Sequence, residues 1–111
     1  MGDRWLVARV DAIKLDGHDR AALIELVAKA SGLPVAEIEH YVKPTVVISQ
    51  DESTGAYSLH ISRMVHDGPD GKMIIDHAAG DVWSEPMIFP LPSVPDWVLA
   101  AHQAQIKIGD N

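Results

Sequence analysis

The sequence contains no cysteine. That excludes a disulfide scaffold, a thiolate zinc site and a cysteine nucleophile. It also lacks a long apolar run. Arg9 and Asp11 interrupt the first hydrophobic stretch, where a signal peptide would continue. No uncharged segment approaches the ~20 residues of a membrane span. Leu6 stands where a myristoylation signal wants Ser or Thr. A cytosolic protein without membrane contact is the expectation. None of the eight glycines falls into a GxGxxG or Walker pattern, so no phosphate loop is present. There is no HExxH pair and no calcium-loop spacing either, and neither a metal nor another cofactor is expected.

Positive charge is scarce, and unevenly so. Residues 44–111 hold nine acids against three bases (Arg63, Lys72, Lys107), whereas residues 1–43 hold seven acids and six bases. The second part should repel phosphate backbones and attract basic surfaces.

What the 111 residues do contain is a regular apolar pattern, enough for one domain over 1–111 with its own core. Residues 5–13 alternate. Leu6, Ala8, Val10 and Ala12 fall on one face, with Trp5, Val7, Arg9 and Asp11 on the other, a period-two strand. Leu23, Leu26, Val27 and Ala30 recur at helical spacing and predict a helix over 19–31, capped by Asp16 or Asp19 and ended by Gly32. A second helix is predicted at 34–42, with Pro34 in its first turn and Pro44 beyond it.

Strands follow at 45–50, 56–66 and 72–84. Asp51 to Gly55 turns the chain first, and Gly68-Pro69-Asp70-Gly71 turns it next. Pro86, Pro90, Pro92 and Pro95 make 85–95 extended but unfit for a helix or a central strand. A last helix runs from Ser93 to about Lys107, with Trp97, Ala101, Ala104 and Ile108 on one face and a capping-box spacing from Ser93 to Asp96. The order β-α-α-β-β-β-α predicts a two-layer α+β fold, its antiparallel three-stranded meander and N-terminal strand packed against helices.

Residues 24–43 carry the spacing Ala28, Gly32, Ile38, with apolar Val27, Leu33 and Tyr41 between and beyond them. This resembles the helix-turn-helix motif of DNA-binding regulators. A small residue lets two helices approach, glycine takes a left-handed turn, and Ile38 fills the angle. The resemblance implies that the second helix enters the major groove and that Val35, Glu39, His40 and Lys43 face the nucleic acid. The chemistry there is poor. Lys43 is the one sure cation, Glu37 and Glu39 oppose phosphate, and the turns at 51–55 and 67–71 are acidic rather than basic.

The six histidines raise the question of catalysis. A Pro69-Asp70-Gly71 hairpin loop with a bulge would set His66 opposite Ile74, Met64 opposite Asp76 and Ser62 opposite Ala78. His60, Ser62 and Asp76 would then share a face, the composition of a nucleophile, base and orienter. No oxyanion hole or nucleophile elbow accompanies them, and a one-residue slip would break the set. His60 and His66 lie about 20 Å apart along a strand, too far to share an ion.

Trp83, Phe89 and Trp97, three of the six aromatic residues, cluster near the proline segment with Met87 and Leu91. Apolar anchors ringed by polar groups compose an interface centre, unless they close the chain's own core. The exposed edges of the sheet would offer a second docking place by strand addition. The combined reading is a small acidic, non-catalytic binding or regulatory module. It acts by protein contact as an inhibitor, an antitoxin-like or anti-defence-like protein, or an assembly component. Its partner is a basic or nucleic-acid-binding protein, or a second copy of itself.

Overall fold

The computed structural model describes the backbone of residues 3–64, 66–67, 72–73, 75–76, 81–82 and 84–109, and the side chains of 3–64 and 84–106. The alternating N-terminal segment forms β1 (Arg4–Asp11). Asp11 ends it by accepting a hydrogen bond from the Ile13 N–H at 3.0 Å, which starts a 3-10 turn over Ala12–Lys14. Helix α1 (Gly17–Ser31) is capped by the Asp16 carboxylate, 2.8 Å from the Asp19 N–H. Gly32 stops it at φ 76°, a left-handed conformation that glycine adopts without steric cost. Helix α2 (Val35–Tyr41) follows. Pro34 is its extended N-cap, one position earlier than the first helical turn.

Strands β2 (Thr45–Asp51) and β3 (Tyr57–Met64) form a hairpin around the 51–55 turn. There the Asp51 carboxylate accepts from the Ser53 and Thr54 N–H groups at 2.8 and 3.0 Å, and Gly55 takes φ 74°. Two two-residue ladders follow, β4 (His66–Asp67) with β5 (Lys72–Met73) and β6 (Ile75–Asp76) with β7 (Asp81–Val82). Strand β8 (Ser84–Leu91) and helix α3 (Asp96–Gly109) complete the chain. Among the described residues the result is an α+β fold with three α-helices and a four-stranded antiparallel sheet in the order β1-β2-β3-β8.

Three local expectations are corrected. The third strand of the meander is 84–91, not 72–84, so the proline segment is itself a strand. Pro86 and Pro90 are tolerated because β8 is an edge strand, where a ring nitrogen can face away from its neighbour. The hairpin register changes with it: Ser62 lies opposite Pro86, Met64 opposite Ser84 and His66 opposite Met73. The loop 68–71 lies outside the described residues.

Secondly, β1 does not alternate strictly. Its pairing passes from Leu6↔Ser49 to Ala8↔Ile48, leaving a bulge at Val7. One extra residue inverts the parity of what precedes it. Trp5 therefore joins the face of Ala8 and Val10, while Leu6 is turned to the opposite face. Thirdly, α3 starts at Asp96 and buries Val98, while Ala104 is exposed.

The core lies between one face of the sheet and the helices. Ala8, Val10, Val46, Ile48, Leu59, Ile61 and Leu91 come from the sheet, Leu23 and Val27 from α1, Ile38 from α2 and Val98 from α3. Arg63 of β3 holds α2 in place. Its Nε and Nη2 both donate to the same Glu37 carboxylate oxygen, with Nε at 2.8 Å.

Candidate interaction surface

The register assigns each strand residue to a side. The core side carries the buried aliphatics. The opposite side carries Arg4, Leu6, Arg9 and Asp11 from β1, Thr45, Val47 and Ser49 from β2, Ser58, His60 and Ser62 from β3, and Pro86, Ile88 and Pro90 from β8. Helix α3 borders this side at β1, where His102, Gln105 and Ile106 line a depression with Leu6, Arg9, Asp11 and Thr45. The large apolar groups of this side are open: Leu6 is 57% and Ile88 55% exposed, with Val47 half-buried between their strands. A depression of about 310 Å³ runs across it, lined by Thr45, Val47, His60, Ser62, Pro86 and Ile88 among others.

At its centre Ser49 Oγ lies 2.6 Å from His60 Nε2. Ser49 is the one buried polar residue of the described chain, and the histidine satisfies it. Burial, and after it the positive charge of Arg4, hold the His60 imidazole below its ordinary pKa, so the ring is neutral near pH 7. A hydroxyl against a neutral imidazole is half of a catalytic set. The rest is missing among the described residues. The other ring nitrogen has no carboxylate partner, and the backbone N–H groups of a central strand are spent on the ladder rather than free to hold an oxyanion.

The register keeps His60 and Ser62 of the expected trio on one side but does not bring Asp76 to them. Ser62 pairs with Pro86, while Asp76 belongs to the short β6–β7 ladder, opposite Asp81. Ser49, the residue that does meet His60, was not singled out in the sequence. Only the β2–β3 register, with Ser49 opposite Ser58 and Val47 opposite His60, makes them diagonal neighbours.

The anchors expected near the proline segment turn inward. Leu91 is 6% exposed and belongs to the core, and Met87, Phe89 and Trp97 pack half-buried against it. The alternation of β8 sends these to the helices and leaves Pro86, Ile88 and Pro90 outside. Trp83 lies outside the residues whose side chains are described.

Strand addition is also opposed at both edges. On β1, the Arg9 N–H donates to His102 Nδ1 at 3.0 Å. The Asp11 N–H donates to Gln105 Oε1 at 2.8 Å, and Gln105 Nε2 donates back to the Asp11 carbonyl at 3.0 Å. Two α3 side chains thus occupy the groups a fifth strand would use. On β8, Pro86 and Pro90 remove two outward N–H donors.

In the helix pair, Gly32 has the left-handed backbone, Ala28 is half-buried, and Ile38 is 6% exposed in the angle between the helices. Val35, Glu39 and His40 are exposed and Lys43 is half-buried. Glu37 is turned back onto Arg63, which commits that side of α2 to the sheet.

No family model, no curated protein and no solved structure matches this chain. No helix among the described residues is long and apolar enough to cross a membrane, and no group of three potential metal ligands occurs among them.

Proposed function

We propose that this protein is a non-catalytic binding module that meets another protein through the open side of its sheet. The observation that carries the reading is the pair of exposed aliphatics, Leu6 and Ile88, on the sheet face opposite the core. Exposed apolar groups rimmed by polar ones have the composition of an interface centre. Here the rim is Arg4, Arg9, Asp11 and the Ser58 and Ser62 hydroxyls. The blocked edges leave a face-to-face contact as the available mode. The acidic excess of residues 44–111 favours a basic partner, and the apolar centre also suits a second copy of the chain.

The test is capture from a nuclease-treated lysate at low salt and in ~0.5–1 M salt, with light scattering on the purified protein. Wild type should retain a protein or self-associate, and a Leu6→Ser/Ile88→Ser variant with an unchanged circular dichroism spectrum should do neither. Identical behaviour of the two would defeat the reading.

DNA binding through α2 is the second reading. It is favoured by the left-handed Gly32 and the buried Ile38, and opposed by Glu39 and by the Glu37–Arg63 pair. A gel shift on random duplex at low salt decides it: no shift at micromolar protein removes it.

A further inference from the structure

A further concave site lies between α1, α2 and the 3-10 turn and meets the depression beside His60 at Lys43 and Pro44. It has a volume of about 450 Å³, within the ~300–1,000 Å³ range of small-molecule pockets. Its floor is apolar: Leu23, Val27, Ile38 and Val46 line it from the core, and Ile24 and Ile13 form its walls, Ile13 being 69% exposed.

Arg20 stands at the mouth. Its Nε donates to the Ala12 carbonyl at 3.0 Å, and its Nη2 donates to the Ile13 and Leu15 carbonyls, both at 3.2 Å. Three neutral oxygens fix the guanidinium in place, and Nη1 donates to none of them. Among the described residues no carboxylate pairs with it. Glu39 and Lys43 also line the site, and Glu39 shares a neighbouring depression with Arg20 and Glu25.

Arg20 and Lys43 against the single carboxylate of Glu39 leave the lining net positive beside apolar walls, which suits an anionic head on an aliphatic body. We infer that this groove binds a small amphipathic carboxylate, its aliphatic body against the accessible walls, Ile13, Ile24 and Pro44, over the buried floor, and its head on Arg20. The guanidinium is pre-organised, so little order is lost when a carboxylate meets it. Glu39 repels the head from its own rim and so sets the orientation.

The test is a methyl NMR titration of the full chain with decanoate, kept below its micellar concentration, beside decanol. Decanoate should shift the Ile13 and Ile24 methyls saturably and bind about tenfold more tightly than decanol, the ratio expected for one charge-assisted contact. Glu39→Gln touches no structural contact described here and should tighten decanoate about threefold. Arg20→Gln should weaken it about tenfold while leaving decanol unchanged. If Arg20→Gln unfolds, the Glu39→Gln and decanol comparisons still decide. Shifts confined to other residues, no saturation, or equal affinity for decanol and decanoate would overturn the assignment. Neither Leu6 nor Ile88 lines this groove, so its failure leaves the contact reading untouched.

Discussion

The two sides of the sheet are built from the same four strands and solve opposite problems. One side, with Ala8, Val10, Ile48, Leu59 and Ile61, is covered by helices and is almost free of solvent. The other, with Leu6, Val47, Ser49, His60 and Ile88, mixes exposed aliphatics, hydroxyls and a histidine, with α3 bordering it at β1. The comparison teaches that alternation along a strand separates stability from contact. Residues adjacent in sequence, such as Leu59 and His60, serve different ends.

The strongest way to break this comparison is Leu59→Ala. Leu59 is fully buried, and its loss should cost about 2–5 kcal/mol in urea unfolding. A cost under ~1 kcal/mol would mean that the covered side is not the core.

Next comes the shielded edge. Gln105→Ala removes both hydrogen bonds to Asp11 and should cost about 1–2 kcal/mol. Combined with His102→Ala it frees the β1 edge, and light scattering should then show association that wild type shows only through its open face, if at all.

A smaller effect is expected from His60. Its folded pKa lies below the unfolded value of about 6.5, so the unfolded chain takes up the proton first. The stabilisation is complete above that value and is lost as the pH falls through the folded one. Urea midpoints at pH 7.5 and 5.5 should differ less in His60→Gln than in wild type. Asp51 acts in the same direction at lower pH. The Thr54 and Ser53 N–H groups hold its carboxyl below the ordinary carboxylate value, so its contribution is present above about pH 4 and disappears in acid.

The smallest stability change belongs to Ile88→Ser, within about 0.5 kcal/mol, because its side chain is already in water. A large loss would show that Ile88 is covered in the folded chain.

Much of the fold was legible in the residues. Period two in β1 and β3, the helical stripe of Leu23 and Val27, Gly32 as a stop and Asp51 as a turn residue all express local chemistry. The helices and the hairpin turn follow from it. What was not legible depends on register. The bulge at Val7 has no glycine or proline to announce it, so Leu6 was assigned to the wrong side. The prolines at 86 and 90 argue against a central strand but say nothing about an edge, and the pairing of 84–91 with β3 is a long-range choice. Once that register is known, Phe89 and Leu91 turn inward, Ile88 turns outward, and Ser49 replaces Ser62 and Asp76 as the neighbour worth noting beside His60. The clasp of α3 on β1 joins residues over ninety positions apart, beyond the reach of any periodicity.

The most direct measurement places a photo-reactive amino acid at residue 88, and in a separate protein at Lys29 on the exposed surface of α1, and irradiates both in the nuclease-treated native lysate. The account predicts a discrete covalent adduct, either with one protein or with a second copy of the chain, from position 88 and none from position 29. Adducts of equal yield from both positions, or from position 29 alone, would contradict it.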